Sequence, residues 1–95
     1  MNYCLYFDER ALKEYRALDG ALREQCKKKL EKVLANPRVE ANRLRHPLKD
    51  CYKIKFKSSG YRLVYQVDDA AGSVCVIAIG KRSGDAAYIA AEVRL

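Results

Sequence analysis

Cys51-Tyr52-Lys53-Ile54-Lys55-Phe56-Lys57-Ser58-Ser59-Gly60-Tyr61-Arg62-Leu63-Val64-Tyr65 alternates between apolar and polar residues on both sides of a short turn, which predicts an antiparallel β-hairpin. Successive side chains of a strand point to opposite faces. Tyr52, Ile54, Phe56, Tyr61, Leu63 and Tyr65 therefore share one face, while Lys53, Lys55, Lys57 and Arg62 share the other. With Ser58-Ser59 as a two-residue loop, Lys55 falls directly opposite Arg62. Like charges so placed weaken strand pairing, and a two-residue slip in register leaves them diagonal neighbours. A sequence that keeps this repulsion has a use for an anion on the cationic face.

Downstream of the hairpin, Val74-Cys75-Val76-Ile77-Ala78-Ile79 is apolar on both faces, the pattern of a strand inside a sheet. It ends at Gly80, Lys81 and Arg82 follow at once, and Asp85 to Val93 has the character of a short C-terminal helix. Upstream, residues 2 to 7 form an aromatic-rich opening strand, and Asp8 is the N-cap of a helix that runs to about Leu18 with Ala11, Leu12, Tyr15 and Leu18 at helical spacing. After Asp19-Gly20 a second helix spans Ala21 to about Asn36, where Pro37 closes it. Leu22, Cys26, Leu30, Val33 and Leu34 make its buried stripe, and the Lys27-Lys28-Lys29 run belongs to its outer, solvated face. Residues 37 to 50 lack a period and read as a basic connecting loop. The order βααβββ(α) predicts an α+β fold: a small, twisted, mainly antiparallel sheet, a helical pair on its apolar face and a short C-terminal helix. The Lys53, Lys55 and Arg62 face is then open, or covered only by the C-terminal segment.

Ninety-five residues make one domain, 1–95, with a modest core, and 19 Lys and Arg against 12 Asp and Glu leave a formal charge of +7. That charge favours polyanionic partners. Cys4, Cys26, Cys51 and Cys75 are too widely spaced for the paired motifs that bind zinc or exchange disulfides, so they read as small apolar filler in a reducing compartment. No signal peptide or membrane-length apolar stretch is evident, which predicts a soluble cytoplasmic protein. His46 has no partner at a useful spacing and belongs to a loop surface. Tyr3, Tyr6, Tyr15, Tyr52, Tyr61 and Tyr65 lie in apolar registers expected at the core or its edge.

A shallow cleft with several cations suits a phosphodiester, because guanidinium groups bind phosphate oxygens in pairs and aromatic rings stack on splayed bases. RNA carries its own nucleophile in the 2′-hydroxyl, so its cleavage requires only proton transfers and stabilisation of the added negative charge. Arg82 and Tyr88, six residues on, are within reach of the same cleft at a distance the sequence does not fix. The plainer alternative is a solvated strand face, since edge lysines also prevent sheet aggregation.

The chain resembles the RelE toxins of the RelE/ParE toxin–antitoxin superfamily over nearly its whole length. The resemblance is carried by Phe7 to Glu14, Lys27 to Leu30, Glu40 to Arg45, Asp50 to Lys55, Ser58 to Val67 and Gly80-Lys81-Arg82. It implies a ribosome-dependent endoribonuclease that cleaves mRNA in the A site, uses no metal or cofactor, and is neutralised by a RelB-like antitoxin with which it represses its own operon. Carried over by motif, Lys53, Lys55, Arg62, Arg82 and Tyr88 form the catalytic set, and Arg45, Lys57 and Lys81 contact RNA. The ribosome and its 16S rRNA are implied partners, operator DNA is reached only through the antitoxin complex, and no membrane is involved. Ser83 to Ala87 is smaller and less charged than the usual continuation after Gly-Lys-Arg, and His46 to Lys49 replaces a shorter loop. Two other functions remain open: a ParE-like poison of DNA gyrase and a non-catalytic subunit of a repressor complex.

Overall fold

A computed structural model describes residues 2–95. Strand β1 (Cys4–Phe7) leads into helices α1 (Glu9–Ala17) and α2 (Gly20–Ala35). Strands β2 (Cys51–Phe56), β3 (Tyr61–Asp68) and β4 (Ser73–Lys81) follow, and α3 (Ala86–Arg94) ends the chain. Aspartates start the first two helices as their positions require: Asp8 accepts from the amides of Arg10 and Ala11, and Asp19 accepts from Leu22 N at 2.9 Å. Pro37, which cannot continue a helix, lies two residues past the end of α2.

The sheet order is β1-β4-β3-β2, with β1 parallel to β4 and the other pairs antiparallel. The doubly apolar strand is thus internal, between β1 and β3. The hairpin has the expected register from Cys51↔Gln66 to Phe56↔Tyr61, and Lys55 pairs with Arg62. Its turn is wider than two residues, however. Lys57 to Gly60 all leave the ladder, Gly60 N donates to Phe56 O at 2.9 Å, and Gly60 supplies the positive φ (75°) that this return requires.

On one face, Tyr52, Ile54, Phe56, Leu63, Tyr65 and Val67 meet Ala11, Leu18, Leu22, Cys26, Leu30 and Val33 of the helical layer. Each large apolar side chain buried there is worth roughly 1.5–3 kcal/mol. On the other face, α3 sets Ala87 and Ala91 against Cys51, Val64, Ile77 and Ala78, joined by Leu48. The register shift between Val64 and Tyr65 leaves Ile77 as an extra residue of β4, which explains how two consecutive residues, Ile77 and Ala78, reach the α3 layer.

Three further expectations about the fold need correction. Tyr6 is 59% exposed, because it alternates away from the helices and α3 covers β3 and β4 rather than β1. Residues 37 to 50 are partly structured: a 3-10 turn spans Glu40–Asn42, Arg43 bridges to Tyr52, and Leu48 is buried. Leu34 is only half-buried, since it lines the rim between α2 and β1. Among the described residues, no helix is long and apolar enough to cross a membrane.

Candidate nucleic-acid site

Alternation along β2 and β3 puts Lys53, Lys55 and Arg62 on the same side of the sheet as Cys51 and Val64, away from the helical pair. Cys51 and Val64 lie under α3, whereas Lys55 is exposed and Lys53 and Arg62 are half-buried. The C-terminal helix therefore walls one end of the cationic face without closing it. Burial there pushes the Cys51 thiol up to about 11, so it stays protonated filler.

Arg82 joins this face through the backbone. Its amide donates to Gly60 O at 2.7 Å, which extends the β3–β4 pairing past Tyr61↔Lys81 and sets Arg82 beside the hairpin turn. Gly80 pairs with Arg62, and a Cβ at Gly80 would lie 3.3 Å from Ala87 N and 3.4 Å from Ala86 Cβ. Glycine is what lets the first turn of α3 settle against the sheet beside Arg62. Tyr88 is the next residue of that turn, half-buried and packed on the α3 layer. Lys53, Lys55, Arg62, Arg82 and Tyr88 thus belong to one side and one end of the molecule.

Lys81 and Lys57 do not share that face. Lys81 lines a pocket with Glu14, Ala17, Leu18 and Tyr61 on the α1 side, as strand alternation after Gly80 requires. Lys57, having left the ladder, lines an edge groove of about 380 Å³ with Lys29, Lys32, Asn42, Ile54 and Lys55. Arg45 is exposed in the loop that precedes β2. Lys29 extends the positive rim in a way the sequence did not reveal: its Nζ donates to Lys55 O at 3.2 Å and lies 5.3 Å from the centre of the Phe56 ring. The two lysines are 26 residues apart in sequence, so only the helix–strand packing discloses their contact.

The ion pairs show how differently the arginines are used. Arg38 is held by Asp69 at 2.7 Å and Asp50 at 3.1 Å and also donates to Tyr52 Oη, contacts that raise its pKa above the ordinary arginine value, the Asp69 hydrogen bond foremost. Arg94 is paired with Glu14 at 2.9 Å. Among the described residues, no carboxylate forms a salt bridge with Lys53, Lys55, Arg62 or Arg82. Arg62 donates only to the neighbouring carbonyl of Tyr61, at 3.3 Å. These four cations are available to an anion, and five hydrogen-bond donors per guanidinium suit phosphate oxygens.

A helical pair backing a four-stranded sheet whose far face is cationic and walled by a C-terminal helix is the architecture of a small toxin of the RelE/ParE kind. The family described as "ParE toxin of type II toxin-antitoxin system, parDE" matches residues 5–86, and the chain belongs to this superfamily on its RelE branch. It is 58% identical to the mRNA interferase toxin RelE of Escherichia coli over 95 residues, which is 100% of this chain and 99% of the relative. The mRNA interferase RelE of Shigella flexneri is similar to the same degree. Among solved structures, a double arginine-to-alanine variant of E. coli RelE in the free state superposes with a TM-score of 0.91 at 57% identity, covering 100% of this chain and 99% of that one. The intact E. coli RelBE toxin–antitoxin complex gives 0.80 at 63% identity, covering 83% and 95%.

Proposed function

We propose that this protein is the toxin of a type II toxin–antitoxin pair and acts as an mRNA interferase, a ribosome-dependent endoribonuclease that cuts mRNA in the A site and halts translation. The observation that carries the reading is Lys55 directly across from Arg62, with no carboxylate among the described residues in a salt bridge with either one. The 58% identity to relatives named mRNA interferases supports the reaction class.

In the reaction, the 2′-oxygen of one nucleotide loses its proton and bonds to the adjacent phosphorus. The bond from phosphorus to the 5′-oxygen breaks, that oxygen takes up a proton, and the RNA is left with a 2′,3′-cyclic phosphate and a free 5′-hydroxyl. Lys53, Lys55, Arg62 and Arg82 supply the charge that stabilises the pentacoordinate phosphate, with a lysine serving as base, and Tyr88 stacks on or orients the substrate. Arg45 contacts the flanking RNA, while Lys57 and Lys81, on other sides of the hairpin end, meet rRNA. The face is shallow and holds its cations on separate strands, so alignment of nucleophile, phosphorus and leaving oxygen falls to the A site.

A RelB-like antitoxin, as in the RelBE complex of the E. coli relative, is the neutralising partner, and operator DNA is bound through that complex. Because the matching family is described by its ParE members, gyrase poisoning is the second reading. Cleavage of a defined mRNA on programmed ribosomes, beside the same mRNA alone, separates them. We expect cleavage only on ribosomes, ending in a cyclic phosphate, and loss of most activity in Arg82→Ala. Equal cutting of naked RNA, or inhibition of gyrase supercoiling without an effect on translation, would overturn the proposal.

A further inference from the structure

Strand β1 ends at Phe7↔Val76, Asp8 N donates to Val76 O at 2.9 Å, and the chain then turns into α1. Beyond that point the β1 side of β4 has no strand partner among the described residues. Its exposed groups are met by two side chains instead. Ile79 N donates to Glu14 Oε1 at 3.0 Å, and Arg94 Nη1 donates to Ile77 O at 2.7 Å. The same two residues close on each other through two parallel contacts, Nη1 to Oε1 at 2.9 Å and Nη2 to Oε2 at 3.0 Å. The fork-on-carboxylate arrangement fixes orientation as well as distance.

Arg94 lies in the last turn of α3, yet its side chain is only 11% exposed, and that of Glu14 is 32% exposed. A nine-residue helix does not hold itself in water. The fully buried side chains of α3, Ala87 and Ala91, bury little area, and Tyr88 and Ala90 beside them are only partly buried. Two features pin its ends: the close approach at Gly80 at one end and the Glu14–Arg94 fork at the other. Tyr88 lies between them, six residues before Arg94, or about 9 Å along the helix axis.

We propose that Glu14 and Arg94 are positioning residues for RNA cleavage: by stitching the last turn of α3 to the unpaired edge of β4 they fix where Tyr88 stands over the Lys53, Lys55 and Arg62 face. The proposal rests on the reading of that face as the cleavage site. Glu14 belongs to α1, on the far side of the sheet, so its effect reaches the substrate only through Arg94 and the helix. A shift of an ångström in an orienting group costs up to about 100-fold in rate, which makes a remote anchor visible in kinetics.

The test combines Glu14→Gln and Arg94→Lys with Tyr88→Ala in the full-length protein. Glu14→Gln is isosteric and keeps an oxygen for Ile79 N while removing the charge that grips Arg94, so the fold is retained. Hydrogen exchange of the α3 amides should speed up by about tenfold or more in Glu14→Gln. Single-turnover cleavage on programmed ribosomes should slow by about 10–100-fold, with ribosome affinity changed by less than about threefold. Arg94→Lys, which keeps the charge but loses the fork, should fall between wild type and Glu14→Gln. The deciding comparison is the double variant: in a Tyr88→Ala background, Glu14→Gln should slow cleavage no further. Fully additive losses, or α3 exchange and cleavage unchanged by Glu14→Gln in an active protein, would overturn this proposal alone. A wild-type protein inactive on programmed ribosomes would overturn the functional reading, and this inference with it.

Discussion

Reversing the charge of Lys55 should stabilise the protein while destroying its activity. Lys55 and Arg62 are direct cross-strand partners, and among the described residues no carboxylate forms a salt bridge with either. Two like unit charges about 7 Å apart in water, the scale of a cross-strand pair of long side chains, repel by about 0.6 kcal/mol before screening. Lys55→Glu turns this into an attraction of similar size, a net change of roughly 1 kcal/mol at about 0.01 M salt. It should shrink to about half that near 0.15 M, where the screening length is about 8 Å. For a chain this size, 1 kcal/mol moves Tm by about 4–8 °C. Lys and Glu have similar strand propensity and position 55 is exposed, so the electrostatic change dominates. Thermal melts of wild type, Lys55→Gln and Lys55→Glu at two salt concentrations should rank Glu above Gln above Lys, with the gaps narrowing in high salt. Cleavage on programmed ribosomes should fall in the opposite order. A Lys55→Glu protein that melts below wild type, or whose stability gain ignores salt, would refute the idea that the hairpin holds repulsion in readiness for an anion.

Gly80→Val should push α3 off the sheet, because a Cβ there already meets backbone at 3.3 Å. Overpacking of this kind costs about 1–3 kcal/mol, to be read from urea midpoints, with cleavage falling in parallel. The four thiols should react in an order set by burial: Cys4 at once, Cys75 slowly, and Cys26 and Cys51, both pushed up to about 11, only on unfolding. Timed labelling with a chromogenic disulfide reagent checks this. In acid, Asp8 is held below the usual carboxylate range chiefly by its hydrogen bond with Arg10, and Asp69 chiefly by that with Tyr3. A depressed carboxyl contributes stability that is complete above the unfolded value of about 3.9 and is lost as pH falls through the folded value. The urea midpoint of wild type should therefore drop as pH falls below about 4, and that of Asp69→Asn should drop less.

The central hairpin was legible because a period of two permits only one assignment of faces, and the loop centre at Ser58-Ser59 preserves the register even though the turn spans four residues. The internal place of β4 followed from its apolar character on both faces. Local patterns could not disclose contacts across the fold. Glu14 and Arg94 are 80 residues apart and look like ordinary surface charges, and Arg38 finds Asp69 and Asp50 only once the loop and sheet end have met. Tyr6 reads as core because alternation reports which residues share a face, not whether anything covers it. The same limit applied to the site. Lys53, Lys55 and Arg62 were gathered by periodicity, whereas the place of Arg82 depends on one hydrogen bond to Gly60, and that of Tyr88 on a helix seated against Gly80.

Stabilisation of charge at a scissile phosphate by unpaired cations is tested most directly by Arg62→Ala, through single-turnover cleavage and ribosome affinity measured on the same programmed complex. The rate should fall by about 100–1,000-fold, the usual consequence of losing one donor to a developing oxyanion, with affinity reduced by less than about tenfold. A rate unchanged once bound, with affinity alone reduced, would make this face a docking surface and contradict the catalytic role.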